Sequence, residues 1–138
     1  EAGTQNLPGI MGLHAALSYL EQETLAPIRA AKQQRTLELL EGFAAIDGVR
    51  LVGKPGLEGR TAVVSVDFKH IDNAEAAFLL ESEYGIMTRC GLHCAPRAHQ
   101  TLGTYPQGTV RFAPGHTTTA EETAAAVKAV QAIAKARP

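Results

Sequence analysis

Apolar residues recur at three- and four-residue spacings over residues 9–22 (GIMGLHAALSYLEQ), where Ile10, Leu13, Leu17 and Leu20 make one face of a predicted amphipathic helix. A second predicted helix runs from about Thr24 to Glu41. Pro27 fits its first turn, where the missing amide hydrogen is not needed, and Gly42 suits its stop. Its apolar face, with Ile28, Arg35, Leu39 and Leu40, is less clean. A helix this long ahead of any strand reads as a strut joining two bodies.

Beyond residue 45 the period changes. Val49 to Val52 is a short strand, followed by turns at Gly53-Lys-Pro-Gly56 and Glu58-Gly59. Thr61 to Phe68 is the best strand pattern, with Ala62, Val64, Val66 and Phe68 on one parity. Asp72 with Glu75 has capping-box spacing and opens a helix that ends at Gly85. Ile86 to Arg89 and Thr109 to Phe112 are further short strands, and Pro114-Gly115 is a turn. Thr118 with Glu121, or Thr119 with Glu122, caps a last helix whose buried stripe is Ala126, Val127, Val130, Ile133 and Ala134. The sum is an α+β fold: a small, mostly antiparallel sheet with helices on one face, preceded by long linking helices. There is no internal repeat.

Composition narrows the partners. A chain of 138 residues holds one core, or one core and a projecting element. Thirteen basic and fourteen acidic residues give a net charge of -1, which removes the electrostatic warrant for nucleic-acid binding. No apolar run reaches bilayer-spanning length, so no membrane is expected as a partner. Two cysteines make no disulfide scaffold, and free thiols suit a reducing compartment, hence a cytoplasmic expectation.

The reactive residues crowd between positions 89 and 116: Arg89, Cys90, His93, Cys94, Arg97, His99, Arg111 and His116. Three readings stay open on chemistry alone. Cys94 is a nucleophile whose thiolate is favoured by cationic neighbours, with Arg111 holding an anionic substrate by its planar fork. Cys90, Cys94, His93 and His99 form a metal site, although Cys-x3-Cys lacks the common zinc spacing. Or Cys90 and Cys94 are a disulfide or inert. Thr4 and Asn6 beside Gly3, just ahead of the first helix, offer hydrogen bonds to a phosphate or a plain N-cap. His14 reads as an interface histidine, His70 as a strand-to-helix turn residue, and Tyr105 as packing or lying over the cysteine loop.

The blocks Gly85-Ile-Met-Thr-Arg-Cys-Gly-Leu-His-Cys-Ala-Pro, His99-Gln-Thr-Leu-Gly-Thr and Gly108-Thr-Val-Arg-Phe-Ala-Pro-Gly resemble the C-terminal part of class V aminotransferase-fold proteins. The likeness is greatest to cysteine desulfurases and selenocysteine lyases. The opening Glu1-Ala-Gly-Thr-Gln-Asn-Leu-Pro-Gly-Ile is similar to the segment that follows their cofactor lysine. The resemblance implies a pyridoxal 5'-phosphate enzyme whose small C-terminal domain, residues 45–138, carries the cysteine loop. Residues 1–44 would then be a remnant of the large-domain edge with interdomain helices. It also implies roles: Cys94 as the nucleophile that accepts sulfur from L-cysteine as a persulfide, and Arg111 on the substrate carboxylate. Arg89 would assist substrate or dimer contacts, and His93 would tune the thiolate. Thr4 would reach the cofactor phosphate of a neighbouring subunit in a homodimer, and a sulfur-acceptor protein would be a further partner.

The pattern departs from the family in two places. Cys90 stands where glycine or another small residue is common, and His116 replaces an aromatic residue often found after Pro-Gly. The five lysines lie outside any cofactor-lysine motif. The expectation is therefore a fragment that alone binds no pyridoxal phosphate, is inactive, and self-associates through its exposed helices. A selenocysteine lyase and a non-catalytic accessory or dimerisation module are the alternatives.

Overall fold

The computed structural model describes residues 2–136. The order of elements is α1 (Leu7–Glu23), α2 (Leu25–Ala44), β1 (Val49–Val52), β2 (Val64–Phe68), α3 (Asn73–Tyr84), β3 (Arg89–Gly91), α4 (Pro96–Leu102), β4 (Thr109–Phe112) and α5 (Ala120–Ala136). The strands form one antiparallel sheet in the order β1-β2-β4-β3. Alternation decides its two faces: Val64, Val66 and Phe68 of β2 and Val110 and Phe112 of β4 point into the core, under α2, α3 and α5. Ser65, Asp67 and Arg111 take the opposite parity and remain half-buried.

Leu39, Leu40 and Phe43 of α2 belong to this same core, and the Phe43 and Phe112 rings meet at a centroid distance of 4.8 Å. Emptying such an aromatic site costs about 3–5 kcal/mol. The expected stop at Gly42 does not occur. The helix runs on to Ala44, and a Cβ at position 42 would collide with Val127 of α5. Gly42 is a point of close helix approach, not a cap.

Two other boundaries move for local reasons. Residues 61–63 leave the expected strand because Val63 N–H bonds back to Thr61 O, while the Arg60 guanidinium ties the carbonyls of Gly56, Val63 and Lys54. Of the expected strand Ile86 to Arg89, only Arg89 is strand. Gly85 is left-handed at φ 67°, and Ile86 N–H bonds to Leu80 O at 2.8 Å, so Ile86 completes the helix terminus and pairing begins only at Arg89. The caps themselves form. Asp72 Oδ1 accepts from Ala74 and Glu75, and Thr119 exchanges hydrogen bonds with Glu122 ahead of α5.

Helix α1 buries no residue. Leu7, Ile10, Met11, Leu13 and Leu17 are all more than half exposed. The Tyr19 hydroxyl and His116 Nε2, 3.1 Å apart, bring the helix to the β4–α5 turn. The histidine in the usual aromatic position thus has a tyrosine partner. No helix among the described residues is long and apolar enough to cross a membrane.

Candidate active site

Strand pairing builds the base of the site. Arg89 of β3 and Arg111 of β4 are direct Cα partners, and Ser65 of β2 faces Arg111 on its other side. Both guanidiniums therefore rise from the face away from the core. Neither has a carboxylate partner among the described residues, whose ion pairs are Arg35–Glu38 and Arg50–Asp67. Two guanidinium forks side by side concentrate positive charge, and such a fork is able to pair with a planar carboxylate in bidentate fashion.

The cysteine loop springs from this base. Gly91, at φ 100°, leaves β3, and His93 and Cys94 follow in left-handed conformations at φ 49° and 61°. Such angles are uncommon for side-chain-bearing residues and persist where the surroundings fix them. Here Ala95 N–H donates to Leu92 O at 2.9 Å, and His93 Nε2 donates to Arg89 O at 3.1 Å. The turn presents Cys94 to solvent. Helix α4 begins directly after it, with Pro96 at its start and left-handed Gly103 at its end.

Burial is the largest influence on His93 and holds its pKa below the ordinary histidine value. The Arg89 carbonyl works against this, and the charges of Arg111, His99 and Arg89 reinforce it. The neutral imidazole is thereby favoured for His93 beside the arginine pair.

Of the residues expected from sequence, Arg89, His93, Cys94 and Arg111 come together in one hairpin. Thr4 does not join them: it is exposed ahead of α1, and no hydrogen bond or ion pair ties it to the loop among the described residues. Asn6 beside it is the N-cap of α1, accepting from Gly9 N–H at 3.1 Å. Both cysteines are free and exposed, and no three His, Cys, Asp or Glu among the described residues are placed to hold a metal. Two features lay outside the expectations. Helix α4 was absent from them, although Pro96 and Gly103 are its boundary signals. So was the buried pair His99–Thr104, joined through Nδ1 and Oγ1 at 2.7 Å. Tyr105 is exposed.

A small, mostly antiparallel sheet covered on one face by helices and preceded by long helices matches the small domain of fold-type I pyridoxal-phosphate proteins. The chain belongs to the aminotransferase class-V family, whose pattern matches residues 1–125. Relatives include a probable cysteine desulfurase of Methanothermobacter thermautotrophicus, 32% identical over 88% of this chain and 30% of the relative. Another, from Pseudomonas putida, is 36% identical over 83% of this chain and 27% of the relative. The fold matches the apo cysteine desulfurase of Thermococcus onnurineus at a TM-score of 0.90 and 29% identity, covering 99% of this chain and 33% of that one. The cysteine desulfurase CsdA of Escherichia coli, in its S-sulfonic acid form, matches at 0.86 and 27% identity, covering 100% and 33%. The chain spans about a third of the length of the relatives it matches.

Membership implies pyridoxal phosphate in a whole protein of this family. The donor set here suits the carboxylate end of a substrate. It does not suit attachment of the cofactor, since residues 89–116 contain no lysine. Lys32 lies on α2, Lys128 and Lys135 on α5, and Lys54 and Lys69 in connecting segments.

Proposed function

We propose that this chain is the substrate-gripping and sulfur-accepting part of a cysteine desulfurase. The observation that carries the reading is the Arg89–Arg111 pair at the root of a loop that exposes Cys94. Arg111, anchored in the sheet between β2 and β3, takes the carboxylate of L-cysteine in a bidentate grip, with Arg89 adding charge from the edge. Pyridoxal phosphate, when held by the whole protein, serves as the electron sink that makes the substrate's sulfur attackable.

The Cys94 thiolate then forms a sulfur–sulfur bond while the substrate carbon–sulfur bond breaks. The bonding pair stays with the substrate carbon, which is protonated and leaves as L-alanine, and Cys94 is left as a persulfide. An exposed loop explains how that persulfide is passed to an acceptor protein. Thr4, ahead of α1, is assigned to the cofactor phosphate across a homodimer interface.

The isolated chain, with no lysine in its site, has no turnover of its own. Its exposed α1 face draws copies together, a state that size-exclusion chromatography with light scattering reads directly. The functional test uses the whole protein with Cys94→Ala: sulfide release from L-cysteine is abolished while cofactor absorbance is retained. Unchanged turnover sinks the reading. Turnover of L-selenocysteine alone transfers it to a selenocysteine lyase.

A further inference from the structure

His99 is a buried imidazole with no part in the sulfur transfer set out above. It is 6% exposed, on the short helix that follows Cys94. Thr104, also buried, holds it by three contacts: His99 Nδ1 lies 2.7 Å from Thr104 Oγ1, and the Thr104 N–H and hydroxyl donate to His99 O at 2.9 Å and 3.5 Å. Left-handed Gly103 turns the chain back to permit this. The ring is therefore fixed in place from the protein interior.

That fixed ring meets His93 at a centroid distance of 5.9 Å, tilted by 44°. His93 in turn closes the cysteine loop by its 3.1 Å bond to the Arg89 carbonyl. A carbonyl only accepts, so Nε2 carries the hydrogen. Arg89 from β3, Arg111 from β4 and His99 from α4 are the charged and titratable groups that act on His93, and each disfavours its protonation. The left-handed backbone at His93 and Cys94 is held by the Ala95–Leu92 turn bond, the His93–Arg89 bond and this ring contact.

We propose that His99 is a positioning residue for the cysteine loop: its ring fixes His93, and through the His93–Arg89 bond it sets how Cys94 is presented to the Arg89–Arg111 pair. The proposal rests on the reading of Cys94 as the sulfur acceptor. His99 touches neither substrate nor sulfur. It acts through His93, as a supporting residue that locks the orientation of a reactive group.

The test compares His99→Ala and the double variant His99→Phe/Thr104→Val in the whole protein. The double variant keeps an aromatic ring against His93 and removes the buried polar pair together. Three quantities are read: the His93 titration by NMR, the ratio of Cys94 to Cys90 alkylation by iodoacetamide from peptide masses, and kcat with KM for sulfide release. With His99→Ala the His93 titration rises toward the ordinary histidine value and the alkylation ratio changes severalfold. In the same variant kcat falls about tenfold or more while KM changes little, as misplacement of a reacting group predicts. The double variant restores the ratio and kcat. A wild-type titration and ratio in His99→Ala overturn the proposal. So does a double variant that is folded but fails to restore the ratio and kcat, which also decides the matter if His99→Ala does not fold. Sulfide release that survives Cys94→Ala overturns the desulfurase reading instead, and leaves the His93 titration as an independent measure of the positioning contact.

Discussion

Gly108 and Gly91 stand backbone against backbone where β4 meets β3: a Cβ at position 108 would overlap the Gly91 carbonyl group. Gly108 also sits at φ 76°, a region that side-chain-bearing residues rarely adopt. Gly108→Ala is therefore expected to push β3 away and lower stability by more than about 1 kcal/mol in urea unfolding. Because β3 carries the cysteine loop, Cys94 alkylation should change as well. Gly56→Ala is the control. It has open space around it, and the expected change is within about 0.5 kcal/mol.

The same strand crossing is tied down by Asn73. Its Nδ2 donates to Gly108 O at 3.1 Å and to Asp67 Oδ1 at 2.9 Å, and its Oδ1 accepts from Phe68 N–H at 3.1 Å. The side chain is 3% exposed, so losing it strands several buried partners. Asn73→Ala is expected to cost about 2–4 kcal/mol, by summing the usual penalty for unsatisfied groups. Asn73→Asp keeps the shape and places a second carboxylate against Asp67. Its deficit should shrink when pH is lowered into the carboxylate range, a signature that chemical denaturation at two pH values reveals.

The legibility of this chain from sequence follows the range of the forces involved. Helices α3 and α5 could be read because their caps are local: Asp72 reaches two residues ahead, and Thr119 and Glu122 satisfy each other. The pairing of Arg89 with Arg111 joins residues far apart in sequence, and no local spacing encodes it; residue chemistry marked both arginines as candidates, family resemblance gave their roles, and register supplied their juxtaposition. Gly42 shows the opposite failure. A glycine late in a helix suggests a stop, but here it makes room for Val127, which only tertiary packing reveals. Helix α4 was overlooked because its seven polar-rich residues have too short a period to detect. With it went the His99–Thr104 pair.

His93 gives the fold a pH dependence whose sign can be worked out. Its folded pKa is below the ordinary value, chiefly through burial, so the unfolded chain binds the proton first. The contribution to stability is full above the ordinary histidine value, near 6.5, and is lost as pH falls through the lowered folded value. Denaturation midpoints should thus decline on the acid side of about pH 6.5, the ordinary histidine value. His93→Gln should flatten that part of the profile, and a decline of unchanged size would assign it to another group.

Arg89 and Arg111 put function and stability in opposition. Like charges directly opposite across an antiparallel pair are destabilising by about 0.2–1 kcal/mol, and no carboxylate among the described residues offsets this pair. Arg89→Leu should raise the melting temperature of the free chain, since it removes repulsion from an exposed edge position. The same change should weaken the grip on a carboxylate, because the second cation is gone. Arg111→Lys should act differently. It keeps the repulsion and loses the fork, so KM for L-cysteine in the whole protein should rise about tenfold, the equivalent of one charge-assisted hydrogen bond of about 1.4 kcal/mol. Melting curves with and without a small carboxylate, run on both variants, separate the two effects. If Arg89→Leu lowers the melting temperature and leaves the carboxylate response intact, the edge arginine is a packing residue and Arg111 holds the anion alone.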